Sequence, residues 1–261
     1  MGSQHNRNFL KTLARGFRVL ASFTPEKAEA SLTDIAEVLG SDASTASRFA
    51  YTLEKLGYLE RDPDTKLYRI SPKIYALTVS LSGPRNIRKV SLPYMEKLRD
   101  ITGETVVLGV RDGAEMVVIE VVETKHALIP RGWIGGRVPV YCSALGKATL
   151  IYLPKNDLLN LIDNMNIIPY TEHTITNRMD LLDELDLTRE RGWSLNNEEY
   201  THGVISVGAP IFSGRREPAG AICVDVPTAR VNDERVINQI ASQVTNTAKE
   251  ISGIGSYNLL K

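Results

Sequence analysis

Hydroxyl, aromatic and basic side chains recur between residues 44 and 55 with the spacing of one face of a helix. Such groups suit the base edges and phosphates of DNA. The side chains expected to contact DNA are Ser44, Thr45, Ser47, Arg48, Tyr51, Thr52 and Lys55. The apolar residues of the opposite stripe are Ala46, Phe49, Ala50, Leu53 and Leu56. A small helical hairpin with a polar outer face also explains these residues taken alone.

Two short helices joined by a tight turn are predicted to hold this face. The first begins at Ser31, whose hydroxyl can accept a free backbone amide, and ends at Gly40. The second follows Ser41 and Asp42, which can cap again, and ends at Gly57. A helix-turn-helix of this kind lays its second helix in the major groove of DNA.

A β-hairpin is predicted directly after the second helix. Residues 58–61 and 67–70 each alternate apolar and polar side chains, and Asp-Pro-Asp-Thr-Lys between them favours a turn. A hairpin here makes a winged helix-turn-helix, which favours DNA binding over the plain helical hairpin. Arg61, Lys66 and Arg69 are expected on or near the wing, facing the backbone or minor groove of DNA.

A third helix, over residues 9–23, is predicted to pack on this module through an apolar stripe. The stripe consists of Phe9, Leu10, Leu13, Phe17, Leu20, Ala21 and Phe23. Thr24-Pro25 ends the helix, because proline lacks the backbone amide that a helix needs.

The composition is that of a water-soluble globular protein with two domains. The 261 residues hold 31 basic and 31 acidic side chains, a balance that permits a local basic face without predicting one. No apolar run reaches the roughly 18 residues of a membrane span, and no signal peptide is visible, so a cytoplasmic protein without membrane association is expected. The two cysteines and four histidines form no metal-binding motif, and no cofactor is expected.

The remaining chain predicts an α+β fold in its second half. Residues 9–71 are expected to form the winged helix-turn-helix domain, and residues 72–102 a helical connector. Residues 103–261 alternate between strand and helix patterns that suggest an antiparallel sheet with segregated helices. This third segment is expected to bind an effector and to mediate oligomerisation.

Several separated stretches, in this order and spacing, resemble the IclR family of bacterial transcription regulators from about Leu10 to Ile251. They read SLTDIAEVLG, STASRFAYTLEKLGYL, TGETVVLGVRDG, VPVYCSALGKATL, TITNRMDLLDEL with RERGW, NNEEYTHGVISVGAPIF and AGAICVDVP. The opening FLKTLARGFRVLASF is also similar to the branch that governs aromatic-acid catabolism. The resemblance implies a GAF-like C-terminal domain that binds a small organic acid, and a homodimer or dimer of dimers on palindromic double-stranded DNA.

The effector pocket is predicted where the glycine-rich loop of residues 131–136 meets the start of a helix at Ala144. Glycines allow close approach of a ligand, the helix start offers free amides, and Trp133 supplies an apolar wall. A structural loop around a buried tryptophan is the alternative. By the family resemblance, effector contacts fall on Ala144, Leu145, Asn196, Val204, Ser206, Cys223 and Asp225.

Four of these positions depart from the family's pattern. Asn196 stands where many relatives have aspartate, Ser206 where a cysteine can occur, and Cys223 with Asp225 where two serines are common. A carboxylate at Asp225 repels an acidic ligand unless it pairs with a cation such as Arg131, or unless the ligand is neutral or carries an amine. The expected function is therefore a regulator whose operator affinity or polymerase recruitment a small metabolite controls.

Two other functions are compatible with parts of the sequence. An enzyme would need Cys142 as nucleophile with a histidine as base, and nothing in the spacing brings His126, His173 or His202 beside it. A DNA-binding regulator whose second domain is an oligomerisation unit without a ligand is the stronger alternative, because Asn196 and Asp225 depart from the family's pocket. No enzymatic activity is expected.

Overall fold

The computed structural model describes residues 9–78, 86–124, 133–214 and 218–254. The chain divides into two compact units, Met1–Ser82 and Gly83–Lys261. Each has its own hydrophobic core. Within the described residues, no helix is both long and apolar enough to cross a membrane.

The first unit is a helix-turn-helix followed by a β-hairpin, as predicted. Its elements are α1 (Lys11–Ala21), β1 (Glu29–Ala30), α2 (Leu32–Leu39), α3 (Ala43–Lys55), β2 (Leu59–Arg61), β3 (Tyr68–Ile70) and, after a 3₁₀ turn at Pro72–Ile74, α4 (Tyr75–Thr78). The strands form an antiparallel sheet in the order β1-β3-β2. The short strand β1, which the sequence did not predict, therefore fixes the outer edge of the wing.

Side-chain caps set the ends of the two central helices. The Ser31 hydroxyl accepts from the Asp34 amide and the Asp34 carboxylate accepts from the Ser31 amide, which is a capping box. Gly40 ends α2 in the left-handed conformation, with φ of 55°. Asp42 then accepts from the Thr45 amide at 2.7 Å and begins α3. The predicted capping roles of Ser31, Gly40 and Asp42 are thus confirmed.

The predicted packing of α1 is wrong over most of its length. Phe9, Leu10, Leu13 and Phe17 are 58–68% exposed, and the residue of α1 that is fully buried is Val19. Leu20 and Phe23 pack against the core that Val19 enters, because the helix turns only its C-terminal end inward. The first part of the apolar stripe is therefore left at the surface.

The second unit is an α+β structure around one antiparallel sheet, as predicted. Its elements are α5 (Ile87–Thr102), β4 (Thr105–Asp112), β5 (Glu115–Val122), β6 (Arg137–Pro139), α6 (Ala144–Leu150), α7 (Lys155–Asn164), α8 (Arg178–Arg191), β7 (Ser194–Asn197), β8 (Val204–Phe212), β9 (Pro218–Pro227) and α9 (Glu234–Ser252). The strand order is β6-β5-β4-β9-β8-β7, and every pair of neighbouring strands is antiparallel.

Helices cover both faces of this sheet. On one face, α5 and α9 bury Met95, Leu98 and Val244 against Leu108 and Val224. On the other, α6, α7 and α8 enclose a second core, whose buried residues include Val107, Leu145, Leu158, Leu181 and Cys223. Helix α5, which the sequence assigned to a connector, thus packs inside the second unit.

Candidate functional site

The outer face of α3 is exposed, and it carries the predicted DNA-contacting residues. Ser44, Ser47, Arg48, Tyr51, Thr52 and Lys55 all lie at the surface, whereas Thr45 is half-buried. The Lys55 ammonium lies 5.4 Å from the centre of the Tyr51 ring, so these two form one cationic and aromatic patch. The Thr52 hydroxyl donates to the Arg48 carbonyl at 2.7 Å, which leaves it with acceptor capacity only.

The three predicted wing cations are exposed, but they are not equally available. Lys66 lies at the tip with φ of 64°, and Arg61 donates to its carbonyl at 3.3 Å while stacking on Tyr68. Arg69 pairs with Glu60 across the hairpin at 3.2 Å. A phosphate would have to compete with that carboxylate for Arg69, so Arg61 and Lys66 are the stronger candidates for contact.

A row of four polar side chains crosses the sheet of the second unit. Asn196 on β7 pairs in register with Ser206 on β8, Ser206 with Asp225 on β9, and Asp225 with Thr105 on β4. Residues directly opposite each other in antiparallel strands point to the same face. Asn196, Ser206 and Thr105 are buried, and Asp225 is half-buried. The sequence had proposed three of the four as effector contacts and had missed Thr105.

Helix α6 covers the neighbouring row on the same face of the sheet. The Ser194 hydroxyl donates to the Ala144 carbonyl at 2.7 Å, and a Cβ on Gly208 would lie 3.0 Å from the Ala144 backbone. Leu145 packs closely over Gly109. The predicted contacts Ala144, Leu145 and Cys223 therefore lie beside the polar row. Val204 is half-buried one pleat beyond Ser206 on the same strand.

The carboxyl of Asp225 is held by neutral groups. The Cys223 thiol donates to it at 3.4 Å, and the Ser206 hydroxyl is also hydrogen-bonded to it. Burial raises the pKa of Asp225, and these two hydrogen bonds lower it less than burial raises it. Within the described parts of the chain, no cation contributes to this balance. Arg131, which the sequence offered as a partner, lies outside the described residues.

A buried ion pair lies beside this site, and the sequence did not predict it. Lys147 of α6 is fully buried, and its ammonium donates to Glu199 at 2.5 Å and to the Leu195 carbonyl at 2.9 Å. Burial raises the pKa of Glu199 although Lys147 lowers it in part. The Glu199 amide in turn donates to Asn196 at 2.8 Å. The pair therefore fixes the loop after β7 and, through it, the side chain of Asn196.

Trp133 is not brought to the polar row. It is 38% exposed, and its ring packs over Gly136 of the same turn. The Gly136 carbonyl accepts a hydrogen bond from the Val118 amide of β5. Val118 pairs with Gly109, four residues along β4 from Thr105, or roughly 13 Å at ~3.3 Å per residue. The structure gives Trp133 the role of a turn residue, close to the alternative weighed above, and its contact with an effector stays a prediction.

Cys142 lacks the surroundings of a catalytic nucleophile. It is fully buried, and burial raises the pKa of its thiol to about 12, so the reactive thiolate is disfavoured. His173 and His202 are exposed beside Glu172, and His126 lies outside the described residues. Across the described ranges, no group of three His, Cys, Asp or Glu side chains could hold a metal ion.

Models of two protein domains match the chain. The IclR helix-turn-helix domain matches residues 12–63. The C-terminal domain of the bacterial transcriptional regulator IclR matches residues 80–253. The second match alone covers more than half of the 261 residues and contains the polar row and α6.

Proteins similar over most of their length are transcriptional regulators, not enzymes. The HTH-type transcriptional regulator XynR of Escherichia coli is 31% identical over 229 residues, which are 88% of this chain and 91% of XynR. The crystal structure of the Thermotoga maritima IclR is 30% identical, has a TM-score of 0.74, and covers 95% of this chain and 100% of that one. An IclR homolog from Microbacterium hydrocarbonoxydans, complexed with 4-hydroxybenzoate, shares the fold at 22% identity, with a TM-score of 0.76, 91% of this chain and 99% of its own.

Proposed function

This chain belongs to the IclR family of bacterial DNA-binding transcriptional regulators, and we propose that a small molecule bound in its second unit controls its hold on an operator. The regulator acts in the cytoplasm as a homodimer or dimer of dimers on a palindromic site. The single observation that carries the sensor role is the polar row Asn196–Ser206–Asp225–Thr105 beneath α6. Three of these four side chains are buried and Asp225 is half-buried, and burying polar groups costs free energy that an apolar packing face avoids.

The exposed face of α3 reads the bases of the operator. Arg48 is exposed near the middle of that face, and its guanidinium can bond two acceptors of a guanine. Ser44, Ser47 and Tyr51 lie on the same face, towards the helix N-terminus and one turn beyond Arg48. Arg61 and Lys66 contact phosphates or the minor groove, which holds the module in register without reading sequence.

Replacing Arg48 tests this reading of bases. Arg48→Ala is expected to weaken binding by about 1 to 3 kcal/mol and to relax specificity at one base pair. Lys66→Ala is expected to weaken all sequences alike and to lower the slope of log affinity against log salt by about 1. Fluorescence anisotropy on duplexes selected from a random library, at several salt concentrations, measures both.

Arg235→Ala is the matched control for these variants. This arginine is 91% exposed in the second unit, so its loss removes one positive charge without touching α3 or the wing. If Arg48→Ala binds the operator with unchanged affinity and unchanged base preference, the proposal that this face of α3 reads the bases is wrong.

Ligand binding to the second unit is tested by thermal unfolding. A compound that binds the folded protein and not the unfolded chain raises the melting temperature, and the rise grows with the logarithm of its concentration above Kd. A panel of aromatic and short-chain acids, with the alcohol and amine matching each, is expected to contain a stabilising compound. Stabilisation that persists in Arg48→Ala and disappears in Asn196→Ala would locate it at the row. Absence of stabilisation by every compound of the panel would favour the alternative, in which the second unit is an oligomerisation unit without a ligand.

Effector control requires that binding shift an equilibrium between two states of the protein. A ligand changes operator affinity only by as much as its own affinity differs between the DNA-binding state and the other state. The contact from Asn196 to Glu199 and on to Lys147 offers one route by which a bound molecule can move α6. The matching measurement is operator affinity with and without the stabilising compound.

A further inference from the structure

Asp225 is the one acidic side chain in the polar row, and its setting constrains what can bind there. The row is otherwise made of an amide and two hydroxyls, from Asn196, Ser206 and Thr105. Asp225 is half-buried as a whole residue, in contrast to the three buried members of the row, so it is the member of the row that is least enclosed. Its oxygens already accept from the Ser206 hydroxyl and the Cys223 thiol, both uncharged donors.

An anionic ligand meets an unfavourable charge at this point. A carboxylate placed against Asp225 would put two negative charges together, or would require one of the two carboxyl groups to take up a proton, and either one costs binding free energy. Lys147 of α6 is fully buried and committed to Glu199 at 2.5 Å. Among the described residues, it is therefore not available to offset a second carboxylate.

A ligand that donates hydrogen bonds meets the opposite situation. A carboxylate oxygen has room for several donors, and a buried one gains more from each than an exposed one does. An ammonium group adds charge neutralisation to the hydrogen bond. Asn196 can contact the same ligand. Its side-chain amide nitrogen donates one N–H to the Ser206 hydroxyl oxygen at 3.4 Å, and the second N–H is left to donate to a ligand.

We propose that the ligand of the second unit turns an ammonium or hydroxyl group, and not a carboxylate, towards Asp225. The inference rests on the proposed sensor function and narrows the class of compound that the sensor accepts. Any acidic group of the ligand lies away from β9. The effector class is thus an amine, an amino alcohol or a polyhydroxy compound, whose donor group replaces water at the carboxyl.

Matched compounds that differ in one functional group test the proposal. One series is 4-hydroxybenzoate, 4-hydroxybenzyl alcohol and 4-hydroxybenzylamine, and the other is lactate, 1,2-propanediol and 1-amino-2-propanol. Melting shifts and isothermal titration are measured at pH 7.5 on the full chain and on the variants Asp225→Asn and Asp225→Ser. Asp183→Asn is the control, since Asp183 is an exposed acid on α8 in the same unit.

In the unsubstituted protein, the amine or the alcohol of at least one series is expected to bind about tenfold more tightly than its acid, the discrimination that one nearby like charge can supply. Asp225→Asn should weaken the amine by about tenfold and leave the alcohol within about threefold. Asp225→Ser should improve the acid, and Asp183→Asn should change nothing.

Two other outcomes overturn the proposal, and they differ from each other. In the first, an acid binds the unsubstituted protein as tightly as its amine does, and Asp225→Asn changes neither affinity. Asp225 then plays no part in selecting the ligand, but the proposed sensor function is unaffected. Absence of any melting shift, with every compound and in every variant, removes the sensor function together with the inference.

Discussion

The most constrained side chain of the second unit is Lys147, a fully buried ammonium paired with a buried carboxylate. Removing two charges from water costs several kcal/mol per ion, which their attraction and added hydrogen bonds must offset. Here the Leu195 carbonyl supplies one such hydrogen bond, and Glu184 lies 3.6 Å away. The pair joins α6 to the loop after β7, so it contributes to the position of Asn196 as well as to stability.

Removing one partner of this pair should be costly. Lys147→Met is expected to lower the free energy of unfolding by about 3 to 5 kcal/mol, because Glu199 is left buried without its cation. Burial raises the pKa of Glu199. At pH values between the ordinary pKa of a glutamate and this raised pKa, the folded state therefore binds more protons than the unfolded state. Stability falls as the pH rises through that range. The deficit of Lys147→Met should therefore be smallest near pH 4 and larger at pH 8.

Denaturant unfolding at several pH values measures this loss. Lys155→Met is the control, because Lys155 is an exposed lysine at the start of α7. The double variant Lys147→Met with Glu199→Gln should recover part of the stability, since no unpaired buried charge remains. A double variant no more stable than Lys147→Met would show that the loss comes from packing and not from charge.

Residue by residue, the sequence predicted the site in part. Asn196, Ser206, Cys223 and Asp225 could be named together only through the family resemblance, because the sequence pattern does not show the register that places these residues of three consecutive strands side by side. Lys147 and Glu199 are 52 residues apart, and no pattern at that distance announces an ion pair. A lysine inside the apolar run SALGKATL was nevertheless a signal, since a buried lysine needs a carboxylate.

At the scale of elements, α6 is held against the sheet by small residues. The backbone of Ala144 lies so close to β8 that a Cβ on Gly208 would be 3.0 Å from it, and 2.7 Å from the Ser194 hydroxyl oxygen. Gly146 lies closer still to Val140, where a Cβ would be 2.2 Å from the backbone. These contacts bring the helix down onto the row beside Cys223, and they leave little freedom for it to shift without moving the sheet.

Adding one carbon at Gly208 should push the helix outward. Gly208→Ala is expected to destabilise the protein by about 1 to 3 kcal/mol through overpacking, and to weaken binding of any stabilising compound. Gly16→Ala is a control that should change stability in the opposite direction. Gly16 lies within α1, and an added Cβ there would meet no other atom. Alanine should therefore stabilise the protein by about 0.5 to 1 kcal/mol through its higher helix propensity. Thermal unfolding of both variants checks the pair; equal stability in Gly208→Ala would contradict the close packing of α6.

Elements whose ends carry caps were the ones that the sequence predicted best. Ser31 and Gly40 bound α2, and Asp42 begins α3, as their side chains or backbone freedom require. Strand β1 could not be predicted, because two residues are too short for any alternation to appear. The prediction for α1 was wrong for another reason. Its apolar residues cover a larger surface than the part that packs against the core, so the pattern did not show which part is buried.

At the scale of the molecule, the exposed apolar surface of α1 has the composition of a contact surface. Phe9, Leu10, Leu13 and Phe17 each expose more than half of their side chains, which is unusual for neighbouring large apolar residues of a monomer. A second copy of the chain is the partner consistent with the proposed palindromic operator, because a two-fold interface matches each surface with itself. We therefore expect α1 to form part of the interface of the proposed homodimer, beside the oligomerisation role expected of the second unit.

Charges on this face should separate the copies. Leu13→Glu combined with Phe17→Glu is expected to give a monomer, or to lower a tetramer to a smaller species, and to reduce operator affinity at least about tenfold, because one half-site alone binds weakly. The folded unit should persist, since neither residue belongs to its core. Analytical ultracentrifugation and anisotropy measure these effects, with Met179→Glu on α8, 60% exposed, as the control. Unchanged sedimentation would exclude α1 from the interface.

Because Lys147 is completely buried, its chemical modification also reports how often the second unit opens. An acetylating reagent modifies an amine only when solvent reaches it, so exposed lysines such as Lys55 and Lys66 react while Lys147 stays intact. Modification of Lys147 then requires that α6 lift from the sheet, through local or global opening of the second unit. Mass spectrometry of that one peptide over time would count these openings directly, in a crude cell extract as readily as in a purified sample.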